Sequence, residues 1–113
     1  MERPELIAAL RRGTMLVAPW PAVRPAWRAW VSVAGPGERD DRPGWRNHEL
    51  TLYWQIREWD PVYIAQDLCW AEDDGMHALD RHTSAGEDQL WTRIDRYGGC
   101  AAFTYPWYTE FPG

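Results

Sequence analysis

The sequence predicts a single α+β domain, with a mostly antiparallel sheet of four to five strands and an N-terminal and a C-terminal helix on one face. Three observations carry this. Residues 49–59 alternate between apolar and polar side chains, the period of a half-buried strand. Residues 87–97 place Leu90, Trp91, Ile94 and Tyr97 at helical spacing, with Glu87 and Asp88 at the start and Arg93, Arg96 and Gly98-Gly99 at the end. Finally, the order helix, strands, hairpin, helix, strand suits helices packed on an antiparallel sheet. A chain of 113 residues can bury one core and not two, so residues 1–113 form one domain.

The first predicted element is a helix over 4–12. Pro4 fits its first turn, Leu6, Ile7 and Leu10 share a face, and Gly13 stops it. A short strand over 14–18 precedes Pro19-Trp20-Pro21, whose missing N–H groups bar that stretch from an inner strand. A second strand covers 27–33, with Trp27, Ala29, Val31 and Val33 alternating against Arg28, Trp30 and Ser32. Residues 35–46 read as a charged loop.

In the strand over 49–59, Leu50, Leu52, Trp54 and Ile56 point one way and Thr51, Tyr53, Gln55 and Arg57 the other. Asp60-Pro61 then breaks the ladder, and alternation resumes over 62–70, which predicts a hairpin with Gln66 interrupting the apolar face. Residues 71–83 read as an acidic loop. Ser84-Ala85-Gly86-Glu87 matches a capping box for the helix that follows, and a last strand spans 100–105 ahead of the aromatic tail Tyr105-Pro106-Trp107-Tyr108.

Nine Trp against two Phe means that most of the large rings carry an N–H needing an acceptor, so they cannot all sit in a dry core. Trp at a surface supplies contact area with few rotamers to freeze. A GC-rich genome is the alternative source of the excess, since the chain has no Lys and a single Asn. Twelve Arg against 17 acids give a net charge of −5, which repels phosphate backbones and argues against nucleic acid as a partner. No segment reaches the roughly 18 apolar residues of a membrane span, and the acidic start is unlike a signal peptide. A cytoplasmic protein with no membrane partner is expected, and Cys69 and Cys100 are expected to stay reduced and unlinked.

No catalytic signature is present, and no cofactor is expected. His77 and His82 lie among Glu72, Asp73, Asp74 and Asp80, but the spacing marks no third and fourth ligand, so no metal is expected. Asp73-Asp74-Gly75 lacks the alternating oxygens and closing Glu of a calcium loop. Cys69 with His48 or His77 is the sole thiol and base pairing to weigh against a plain buried thiol. Glu49, Glu58 and Asp67 are the carboxylates available for acid and base work.

What remains is the second sheet face, where Arg28, Trp30, Thr51, Tyr53, Gln55, Arg57 and Tyr63 mix aromatic plates with guanidinium groups. The expected partner-binding residues are Trp30, Tyr53, Arg57 and Tyr63, with Trp107 and Tyr108 of the tail. They point to a small non-catalytic protein-binding module of a bacterium or phage, of the immunity-protein or inhibitor type, whose partner is another protein. The alternatives are a domain or small enzyme with a Trp-lined pocket for an anionic ligand, and a structural subunit of a larger assembly, a homo-oligomer included.

Overall fold

The computed structural model describes residues 1–35, 49–65 and 75–112, apart from the side chain of Tyr63. Helix α1 (Arg3–Arg11) is followed by strands β1 (Leu16–Trp20), β2 (Arg28–Ala34) and β3 (Leu52–Trp59). Helix α2 (Pro61–Ala65), strand β4 (Met76–Ser84) and helix α3 (Glu87–Arg96) come next, then two short 3₁₀ turns, Cys100–Ala102 and Pro106–Tyr108. The four strands pair antiparallel in chain order, so the fold is mixed α+β with an antiparallel sheet.

Several elements follow directly from local sequence. In α1 the residues Leu6, Ala9 and Leu10 repeat at helical spacing and are buried, and Gly13 (φ 84°) turns the chain so that Thr14 N–H reaches the Ala9 carbonyl at 3.0 Å. Pro19 lies within β1, and β1 accepts it because this strand is outermost in the sheet order. β3 begins at Leu52, three residues later than the alternation suggests, because Leu50 adopts φ 51° and leaves the strand conformation.

Register then sorts the side chains. Leu16, Ala18, Val31, Val33, Leu52, Trp54 and Ile56 share one face, where they cluster with Leu6 and Leu10 of α1, Leu90 and Ile94 of α3, and Phe103. On the opposite face Val17, Trp30, Trp59 and Met76 cluster with Phe111, and Ile64 of α2 packs against them. Each face of the sheet therefore carries its own buried cluster.

Four expectations of secondary structure are corrected. The predicted strand over 62–70 opens instead as α2: Pro61 stands at its first position and the Asp60 carboxylate accepts the Val62 N–H at 3.0 Å. Asp60-Pro61 is thus a helix start, its side-chain oxygen meeting an orphan donor of the first turn. The true partner of β3 is β4, formed by residues read as loop, in which a bulge opposite Ile56 and Arg57 breaks the alternation that would have marked a strand. Third, Ser84 closes β4 and does not cap α3; its hydroxyl accepts the Trp54 indole N–H at 2.8 Å, while Gln89 reaches back to the Ala85 N–H at 2.9 Å. The last predicted strand is also largely replaced, by a 3₁₀ turn and one bridge between Thr104 and Val17. The loop over 35–46, His48, Gln66, Asp67, Cys69 and the Asp73-Asp74-Gly75 turn lie wholly or mostly outside the described residues.

Candidate binding surface

The C-terminal segment crosses the outer edge of β1 from one sheet face to the other. Gly98 and Gly99 (φ 109° and 83°) end α3, and the Gly99 N–H caps the Ile94 carbonyl at 2.8 Å. Phe103 then enters the cluster beneath the helices, Thr104 and Val17 exchange two backbone bonds (3.0 and 2.9 Å), and Phe111 enters the opposite cluster. Between these two anchors the chain must turn outward. Pro106 starts the 3₁₀ turn, and Thr109 closes it by donating to the Pro106 carbonyl (2.9 Å) and accepting the Phe111 N–H (3.0 Å).

At the crest of that turn Trp107 and Tyr108 are 66% and 72% exposed. They are not loose. The Trp107 ring stacks on Tyr105, with centroids 4.7 Å apart and planes at 8°, and Tyr108 stands edge-on to both at 6.0 Å. Tyr105 in turn packs against the first core cluster, so the exposed pair rests on a fixed base.

The other expected binding residues scatter. Trp30 does not stand on an open face: it is 3% exposed, 5.5 Å from Trp59 and 6.0 Å from Phe111, in a trio of mutually tilted rings. The tail closed that face, because an apolar Phe111 finds more surface to bury there than in water. Arg57 is half-buried, its guanidinium 5.1 Å above Trp59 and 5.6 Å from Phe111, so its charge helps to cover the same cluster. Tyr53 is 49% exposed and forms, with Gln55, Arg81 and Thr83, an open depression of about 410 Å³ on β3 and β4, two strands from β1. Tyr63 lies in α2 and not in a strand. No ring contact joins Tyr53 to Trp107 or Tyr108 among the described residues.

Titratable groups sit mainly in structural roles. Glu58 is buried, and one carboxylate oxygen accepts the backbone N–H groups of Val23 and Arg24 at 2.8 and 3.2 Å, with the Arg24 guanidinium nearby. It pins the β1–β2 loop. His82 stacks against both Trp54 and Tyr97, with Nε2 3.3 Å from the Tyr97 hydroxyl and Nδ1 3.6 Å from Asp80. Burial, then the positive charge of Arg93, lowers the imidazole pKa from its ordinary value against the pull of Asp80; burial likewise raises that of Tyr97. The bulge returns His77 and His82 to one face of the sheet, but five strand residues separate them by roughly 15 Å, too far to share a metal. Among the described residues no three His, Cys, Asp or Glu side chains converge, and no helix is long and apolar enough to cross a membrane.

Comparison with known protein families, with curated proteins and with solved structures gives no match.

Proposed function

We propose that the protein is a non-catalytic binding module that acts by occupying the surface of another protein, in the manner of an inhibitor, with Trp107 and Tyr108 as its anchors. The observation that carries this is the exposure of two adjacent large aromatic rings on a turn that is tied down at both ends. Burying them would remove on the order of 300 Å² from water, about 7 kcal/mol gross at 25 cal/mol/Å². The stack on Tyr105 holds the Trp107 ring in place before any partner arrives, so little rotamer freedom is lost on binding. Aromatic anchors of this kind dominate binding energy in protein interfaces. Trp30 supports this surface only from below, by holding Phe111.

A photo-crosslinking residue at Tyr108 in the native host identifies the partner, and its affinity is then measured for the unaltered protein and for Trp107→Ala and Tyr108→Ala. Each replacement should weaken binding by about 2 kcal/mol or more, a factor of roughly thirty, with the fold intact. Equal affinity in both variants would falsify the assignment of these anchors.

A further inference from the structure

We propose that the flank of α3 beside β4 binds the phosphate group of a small phosphate monoester, held by Arg93 and Arg96 with the Gln89 amide. This is independent of the aromatic surface. Residues 89, 93 and 96 follow each other at four and three positions, so they share one stripe of the helix. They line an open depression of about 380 Å³ together with Asp88 and Thr92. Among the described residues neither Arg93 nor Arg96 forms an ion pair, so both guanidinium groups can turn to a ligand in that depression.

The polar groups along the stripe present donors. The Gln89 oxygen is already engaged by the Ala85 N–H at 2.9 Å, which leaves its NH₂ group to face a ligand. Tyr97 follows Arg93 by four positions, one turn along the same stripe, and is fixed by burial and by His82, so it forms a rigid end to the stripe. Arg96 lies over the Tyr97 ring at 5.9 Å, on the same side of the helix. Both cations act on His82 in the direction that disfavours its protonation, evidence that their fields converge at the α3–β4 junction.

Two opposing charges must be weighed. Asp80 neighbours His82 at 3.6 Å, and Asp88 stands eight residues before Arg96, about 12 Å along the helix. Asp88 belongs to the first turn, where the positive helix end offsets it. The negative helix end beside Arg93 and Arg96 amounts to about half a charge, and the N–H groups of Tyr97, Gly98 and Gly99 already cap its carbonyls, so two full positive charges dominate. Two cations and a neutral donor suit a dianionic tetrahedral oxyanion better than a single carboxylate.

The test is a titration of the ¹⁵N-labelled full chain with inorganic phosphate at constant ionic strength, with acetate as the carboxylate arm. Saturable shifts confined to Gln89, Arg93, Arg96 and Tyr97, with acetate at least about tenfold weaker, are the expected result. The double variant Arg93→Gln/Arg96→Gln should lose saturation. Should that variant fail to fold, Arg93→Lys/Arg96→Lys keeps the charge and loses the forked geometry, and should bind about tenfold more weakly. Shifts that do not saturate by about 20 mM phosphate, acetate bound as tightly as phosphate, or undiminished affinity in either double variant overturns the proposal.

Discussion

The Trp54 indole donates to the Ser84 hydroxyl at 2.8 Å, joining the centre of β3 to the last residue of β4 inside the core. Ser84→Ala would leave that buried N–H without an acceptor, a loss of about 1–3 kcal/mol, whereas Trp54→Ala would cost about 3–5 kcal/mol through the cavity it opens. Denaturant unfolding of Ser84→Ala, of Trp54→Phe and of Trp54→Phe/Ser84→Ala separates the hydrogen bond from the cavity. In the double variant neither donor nor acceptor remains, so it should be more stable than the sum of its singles predicts; strict additivity would contradict a working hydrogen bond.

Glu58 gives the second prediction. Its carboxylate holds the N–H groups of Val23 and Arg24, so Glu58→Ala should cost about 2–4 kcal/mol and loosen the β1–β2 loop. Glu58→Gln keeps an acceptor oxygen and should lose less than half as much. Hydrogen exchange at Val23 and Arg24 reads the loop directly: protection unchanged in Glu58→Ala would rule out the latch.

These two residues also show what could be read from sequence. Trp54 was legible as a core residue because strict alternation over 50–57 fixes its face whatever the neighbouring strands do. The buried state of Glu58 was not, although it shares that face, because its partners are backbone N–H groups of a loop 34 and 35 residues away. Similarly, α1 and α3 announce themselves by apolar stripes and glycine stops, whereas β4 hides behind a bulge and the charged pair Asp80-Arg81. The candidate surface was half visible. Pro106 and Pro112 lack the N–H groups of an inner strand, so the tail must leave the sheet, but no local pattern distinguishes Phe111, which docks, from Trp107, which does not.

His82 makes stability depend on pH. Its pKa in the folded protein is lowered below 6.5, first by burial and then by Arg93, so the folded state favours the neutral ring. As pH falls through 6.5 the unfolded chain takes up a proton that the folded chain resists, so the contribution is fully present above that pH and declines below it. His82→Gln keeps a side chain able to bond Tyr97 but cannot titrate. Urea midpoints at about pH 7.5 and about pH 5.5 should therefore differ less in the variant than in the unaltered protein. An equal difference in both would remove His82 as the source.

Ala26 occupies the left-handed region at φ 65° in the turn closed by the Trp27 N–H and Arg24 carbonyl, 3.2 Å apart. An L-residue there carries roughly 1–2 kcal/mol of strain, and glycine relieves it at an entropic cost of about 0.5–1 kcal/mol. Ala26→Gly should thus be neutral to stabilising by about 1 kcal/mol, against the usual direction of such a change. A drop in melting temperature would show that the turn is not under strain.

The sharpest contrast lies within five residues of the tail. Phe111 is 9% exposed, 5.3 Å from Trp59 and 6.0 Å from Trp30, and it closes the second face. Phe111→Ala should cost about 2–4 kcal/mol and uncover both indoles, raising their solvent quenching in fluorescence. Trp107→Ala removes a ring that is mostly in water already, so stability should change by less than about 0.5 kcal/mol. Because the turn between them is tied at both ends, Phe111→Ala should also weaken partner binding by freeing the mount on which Trp107 and Tyr108 stand. Partner binding unaffected by Phe111→Ala, with the second face open, would show that the exposed rings work without their anchor.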